Sequence, residues 1–360
     1  MNQSAEVLFK LISIALGNEK EFSLPNVVNW EEVFDLAVKQ GVDALVWTDM
    51  LSERSEEYGI DEYIKYKWIG HQAIVEKEYY TRLQSLKNLG LLWASEGITP
   101  VVLKGLSYAV LYPNPYLRKS CDLDVFLFDR WEDGNLVVEG EGIEVNRDYY
   151  KNSSFTYYGL FVENHRYCTS IRGRVQRKRY ELFLQGLLEK SELGKIAETD
   201  FYTPLPLFNI LFFQSHALEH FLYEGGIQLR HVCDWGVIMK AYANGHDDLW
   251  AKVIDYSEQF GFSRFMYSMS QVAQRVCGVT IPFACPNNDE AHKALLKEIL
   301  YPTCEQVEFS SGLKAKKQLV KTIIQSRWKF KLFSKQSMLM SLLQAILFYL
   351  FEKEPVLKRE

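Results

Sequence analysis

The sequence predicts an α+β fold: a small mixed-sheet core flanked by helical regions at both ends. Two observations carry this reading. Apolar residues recur at helical spacing over residues 1–95 and again from Pro204 onward. Between these regions the pattern breaks at Gly97-Ile98-Thr99-Pro100 and gives way to short apolar runs bounded by polar turns. The expected organisation is a helical N-terminal region (1–95), an α/β core (96–200) and a helical C-terminal domain (201–360).

In the first region, Val7, Leu8, Leu11, Ile12 and Ile14 make one amphipathic face. Asn29 is placed to cap a helix beginning Trp30-Glu31-Glu32. A long helix is expected from Asp61 to about Leu89, with Ile64, Trp68, His71, Ile74 and Tyr79 mostly three and four residues apart. Val101-Val102-Leu103 reads as a strand closed by Gly105. Leu106 to Tyr112 reads as a short helix stopped by Pro113-Asn114-Pro115. Asp122-Leu123-Asp124 opens the next strand, which runs through Val125 to Phe128. Gly142 to Asp148 and Phe155 to Glu163 are two further strand candidates, joined by a polar turn at Lys151-Asn152-Ser153-Ser154. Leu207 to Tyr223 is a helix ended by Gly225-Gly226, Ile227 to Tyr242 is another, and at least three more follow.

The 360 residues are 48% hydrophobic and 14% aromatic, enough for large cores and against extensive disorder. The net charge of −5 is mild and weighs against nucleic acid as a partner. None of the six cysteines forms a C-x-x-C pair, which excludes a zinc ribbon or thioredoxin-like motif. No basic segment precedes the first apolar stretch, which Lys10 interrupts, so a cytoplasmic protein with free thiols is expected. Met338 to Phe351 is almost wholly apolar but too short to span a bilayer comfortably, and reads as a buried terminal helix. Phe309 to Phe351 contains no Asp or Glu but holds Lys314, Lys316, Lys317, Lys321, Arg327, Lys329, Lys331 and Lys335. This region is either a solvated face or a peripheral contact with an anionic surface, membrane or polyphosphate.

Asp122 and Asp124 are the first candidates for chemistry. Strand residues alternate faces, so both carboxylates point the same way, and paired hard oxygens suit Mg²⁺ and phosphate-bearing substrates. Glu163 ends a mostly apolar strand and would join them if the two strands are neighbours; Asp129, Glu144 and Asp148 compete for that place. Lys104-Gly105 supplies a turn with a cation. Arg118 can clamp a phosphate through two N–H groups or serve a structural ion pair.

Leu103-Lys104-Gly105, Tyr112-Pro113, Pro115, Arg118, Asp122-Leu123-Asp124 and Val162-Glu163-Asn164-His165 together resemble the uncharacterised bacterial nucleotidyltransferase family of the DNA polymerase beta-like superfamily. His216 and Leu229-Arg230…Asp234 extend the resemblance over roughly residues 60 to 240. It implies a polymerase-beta-like core, and transfer of NMP from an NTP such as ATP to an acceptor with release of pyrophosphate. Two Mg²⁺ ions would be held by Asp122, Asp124 and Glu163, and Glu163 could also take the acceptor's proton. Lys104, Gly105, Ser107 and Arg118 would bind the nucleotide. The superfamily's Gly-Ser turn is replaced here by Lys104-Gly105-Leu106, with Ser107 two residues past the glycine. The acceptor, a small molecule or a protein side chain, is left open, as is a non-catalytic nucleotide- or partner-binding role on the same fold.

A competing motif is His216-Ala217-Leu218-Glu219-His220, an H-x-x-E-H pattern that puts two histidines on one helical face and could bind Zn²⁺ as in a metallopeptidase. Otherwise His165, His216, His220, His231 and Asp234 would line a cleft between the core and the C-terminal helices. Arg166, Arg172, Arg174, Arg177, Lys178 and Arg179, flanked by Tyr167 and Tyr180, form a basic patch that is either solvated or contacts phosphate.

Overall fold

The computed structural model describes residues 2–19, 24–25, 27–120, 122–169, 176–190, 192–303 and 320–351. The N-terminal region consists of α1 (Gln3–Ala15), α2 (Trp30–Lys39), the short α3 (Asp43–Val46) and α4 (Asp49–Glu53), and α5 (Glu62–Ser95). Asn2, Asn29 and Asp61 each accept backbone N–H groups from the first turn of the helix that follows, meeting donors a helix cannot satisfy itself.

The sheet has six strands: β1 (Val101–Val102), β2 (Leu123–Phe126), β3 (Asn152–Tyr157), β4 (Leu160–His165), β5 (Gly194–Lys195) and β6 (Tyr202–Thr203). They run in the order β3-β4-β2-β1-β6-β5. β2 is parallel to β4 and β1 to β6, and the other pairings are antiparallel. The fold is therefore α+β with a mixed sheet, as the sequence predicts. Helix α6 (Leu106–Ala109) follows β1, α7 (Trp131–Gly140) follows β2 and α8 (Gln176–Lys190) follows β4.

Alternation along the strands divides the sheet between two cores. Leu123, Val125, Leu160 and Val162 pack with Leu86, Leu89 and Trp93 of α5 and Val138 of α7. Val101, Leu103 and Phe126 point the other way, into a larger core built with the C-terminal helices. Those helices are α9 (Pro206–Tyr223), α10 (Leu229–Ala241), α11 (Asp247–Phe260), α12 (Ser263–Cys277), α13 (Asp289–Leu300), α14 (Arg327–Phe333) and α15 (Met338–Phe351). Leu8, Leu11 and Ile12 of α1 belong to the same core as Met266 and Met269 of α12, so the first helix packs with the C-terminal helical region.

Three expectations need correction. Residues 142–148 do not form a strand; Asn146 makes only an isolated bridge to Ser154. The expected turn at Lys151 to Ser154 lies instead at Tyr158-Gly159, where φ values of 45° and 82° close a two-residue hairpin between β3 and β4. Polar Asn152 and Ser153 are tolerated inside β3 because the Ser153 hydroxyl donates to Asn135 Oδ1, which also accepts from Asn164 Nδ2. Lastly, α15 is not fully buried: Leu339, Met340, Leu343 and Ile346 are exposed. No described helix is long and apolar enough to cross a membrane. Lys314, Lys316 and Lys317 lie outside the described residues.

Candidate active site

The parallel register sets Asp124 beside Glu163 and Phe126 beside His165. With period-two alternation, Asp122, Asp124, Glu163 and His165 all face the C-terminal helices. β1 delivers Lys104 to the same place: Leu103 N donates to Asp124 O, and the next residue begins the turn. Gly105 turns there with φ 74° and ψ −97°, a backbone conformation that favours glycine, while a Cβ would make only ordinary contact with Asp122 O at 3.4 Å.

Lys104 Nζ lies 3.3 Å from Asp122 and 3.2 Å from Asp124. Burial works against its charge, but the carboxylates of Asp124, Asp122 and Glu163 outweigh that and hold the ammonium protonated well above the usual lysine range. His165 is fully enclosed. Its Nδ1 faces the Tyr167 carbonyl at 3.2 Å, and its Nε2 faces Asp124 Oδ1 at 2.8 Å and Glu163 at 3.4 Å. Acceptors at both nitrogens require an imidazolium. Accordingly burial, which lowers its pKa, is overcome by the bonds to Asp124 and Glu163, and the net direction is upward. Burial raises the pKa of Glu163, yet His165 and Lys104 bring it down to about 2.

Beside the carboxylates lies a cavity of about 160 Å³ between the sheet and α9–α10. Lys104, Arg118, Asp122, His216, His220 and Arg230 contribute to its lining. Arg118 donates through Nε and Nη2 to the two oxygens of Asp234, at 2.7 and 2.8 Å, and Tyr112 donates to Asp234 at 2.7 Å. The structural pairing foreseen for Arg118 is thus present. Its third nitrogen, Nη1, is buried with no hydrogen-bond partner, leaving its two N–H groups for a ligand or water. His216 Nε2 stands 3.3 Å from Lys104 Nζ and 2.8 Å from His220 Nε2. An ammonium only donates, so His216 accepts there as a neutral ring. Burial, Lys104 and His220 all push its pKa far down.

This geometry speaks against the zinc reading. A lysine ammonium occupies the open side of His216, and His220 is tied to Glu224 through Nδ1. Among the described residues, the group whose ligand atoms lie close enough to hold a metal is Asp124, Glu163 and His165, with those atoms within 4.8 Å of one another.

Oxygen donors suit Mg²⁺, and Asp124 and Glu163, neighbours across β2 and β4, offer carboxylate oxygens within 4.8 Å of one another that fit such an ion, with Asp124 Oδ2 facing the Lys104 ammonium at 3.2 Å. His165, protonated between two carboxylates, holds them rather than ligating. Asp129, Glu144 and Asp148 are exposed and away from this group. Ser107 is buried near the start of α6, its hydroxyl unpartnered, and is absent from the cavity lining. Arg172 and Arg174 lie outside the described residues. Tyr180 is a buried core residue bonded to Leu211 O and Ser215.

Tyr112, Lys151 and the cavity-lining Arg230 are site residues that the sequence does not single out as site members. Lys151 is buried at the start of β3. Desolvation works against its charge, but Glu219 leads the groups that raise its pKa. A lysine opening a polar segment gives no sign of burial. Tyr112 fell in the quoted motif, but its hydroxyl partner is 122 residues away.

No curated protein and no solved structure matches this chain. The model of one family, described as an uncharacterised nucleotidyltransferase, matches residues 26–278. That span covers more than two thirds of the sequence, including every carboxylate and cavity residue above, and the chain belongs to this uncharacterised nucleotidyltransferase family.

Proposed function

We propose that the protein is a Mg²⁺-dependent nucleotidyltransferase that moves NMP from an NTP to an acceptor and releases pyrophosphate. The observation that carries this reading is the pairing of Asp124 with Glu163 on one sheet face, next to Asp122, which itself lines a cavity with Lys104, Arg118 and Arg230.

Asp122, Asp124 and Glu163 would hold the divalent ions. When bound, such ions lower the pKa of the acceptor oxygen and neutralise charge on the leaving pyrophosphate. The acceptor oxygen forms a bond to the α-phosphorus, and the bond to the α–β bridging oxygen breaks, its electron pair leaving with pyrophosphate. Glu163, drawn down to about 2, serves better as a carboxylate ligand than as the base, so the acceptor's proton passes to solvent. Arg118 Nη1, Lys104 and Arg230 would meet phosphate oxygens, with Arg118 held in place by Asp234.

The test is turnover of α-labelled NTPs with Mg²⁺ against pools of small metabolites and proteins. Label transferred with pyrophosphate release, and lost in Asp122→Asn, supports the proposal. A second reading, nucleotide binding without chemistry, draws on Lys104, whose ammonium already neutralises the aspartate pair. NTP binding that does not depend on Mg²⁺, with no turnover, would favour it.

A further inference from the structure

We propose that the C-terminal helices α14 and α15 dock the protein on an anionic lipid surface, lying on it rather than crossing it. The helix α15 has two faces. Met338 and Leu342, four residues apart, pack against the main core, and Ser341 between them is buried. Leu339, Met340, Leu343 and Ile346 point outward, with exposures of 71%, 49%, 50% and 43%. At 3.6 residues per turn these four fall within an arc of about 120°. The apolar face is therefore continuous, and the helix's inner face is already used.

The charge beside it selects the partner. Residues 309–351 contain no acidic residue. Lys321, Arg327 and Lys331 are exposed, and Ile324, itself 54% exposed, lies three residues from both Lys321 and Arg327. Cations and apolar side chains thus alternate at helical spacing just before α15. Lys329 is the exception: it is buried, paired to Glu298 at 2.8 Å, and bonded to Phe221 O, which anchors α14 to α9 and α13. α15 in turn is held to the body through Met338 and Leu342, which pack against the main core. A second copy placed face to face would bring these cations together, which opposes self-association; a bilayer with anionic headgroups offers both complementary charge and an apolar interior. Since no described helix is long and apolar enough to span, the contact is interfacial.

The test is flotation of the full-length protein with vesicles of phosphatidylcholine alone and with about a third phosphatidylserine. The expected result is binding to the anionic vesicles only, weakened by salt. Lys331→Glu with Arg327→Glu, and separately Leu339→Ser with Leu343→Ser, should each reduce binding at least about tenfold. All four positions are exposed, so circular dichroism and cation-dependent nucleotide binding should be unchanged. Equal binding to neutral vesicles, no binding to either, or binding unaffected by both variants would overturn the proposal. So would a dimer in solution that the Leu339→Ser and Leu343→Ser variant dissolves, which would give the face to a second copy.

Discussion

Asp124 on β2 and Glu163 on β4 are direct neighbours in a parallel register, and His165 bonds to both. This contact brings together two segments that the chain separates by a strand, a helix and a hairpin. It leads to the first prediction. Asp122, partly exposed beside Lys104, can lose its charge without opening the core. Asp122→Asn is expected to keep its fold but lose at least about 100-fold in turnover, in line with removing a group that stabilises transition-state charge. Calorimetric titration of NTP with and without Mg²⁺ should show the metal dependence of binding shrinking in the same variant.

Arg118 and Asp234 make a second testable pair. Both are buried, and removing one partner strands the other's charge. Asp234→Ala or Arg118→Ala should each cost about 3–5 kcal/mol in urea unfolding, and Arg118→Met with Asp234→Leu should recover much of it. The pair also sets an acid limit. Burial raises the Asp234 pKa, but Arg118 and Tyr112 overcome this and the carboxyl is held below its ordinary value of 3.8. A depressed carboxyl contributes its stabilisation above the unfolded value and loses it as pH falls through the folded one. Wild-type stability should therefore drop below about pH 4, and that slope should be shallower in the double variant.

What could be read from the sequence was local. The helix cap at Asn29, the long helix starting near Asp61, the break at Gly97 to Pro100 and the strand after Asp122 all rest on short-range signals, and they stand in the structure. The β3–β4 hairpin was misplaced because Lys151 to Ser154 looks polar. Its burial depends on Asn135 and Asn164, which only the folded sheet brings within reach. Lys104 was legible as a cation beside a turn. That it faces two carboxylates and a histidine depends on the β1–β2 pairing and on α9, contacts between distant segments that no window of sequence displays.

Gly105 gives a sharper test of the turn than any side chain does. Its φ of 74° with ψ of −97° lies where residues with a Cβ are strained, while a methyl group there would make only ordinary contacts with Asp122 O and Ser120 Oγ, so the cost comes from the backbone. Gly105→Ala should cost about 1–3 kcal/mol and shift the β1–α6 turn that carries Lys104. NTP affinity is expected to fall more than the Mg²⁺ affinity of the free protein, because the carboxylates sit on β2 and β4 and not on this turn. Separate titrations of nucleotide and metal would show it.

Lys104 gives the last prediction, because it already supplies one positive charge to the site. Its ammonium lies between Asp122 and Asp124, within 3.3 Å of both, where a divalent ion would also find its charge needed. Cation and ammonium therefore compete for the same carboxylates, although the lysine would also serve a bound phosphate. Lys104→Gln keeps a polar side chain but removes the charge. Without metal the variant should be less stable than wild type, since Asp124 is then left buried with His165 as its remaining close cation. Mg²⁺ or Mn²⁺ should bind it more tightly, by about tenfold for each 1.4 kcal/mol of competition removed. Each divalent ion should also raise its melting temperature more than that of wild type. In the presence of metal, NTP affinity should fall, because a phosphate partner is gone. Mn²⁺ titration followed by electron paramagnetic resonance, alongside thermal melts with and without Mg²⁺, separates these effects. Unchanged or weaker metal binding in Lys104→Gln would mean that the lysine does not compete with the ion.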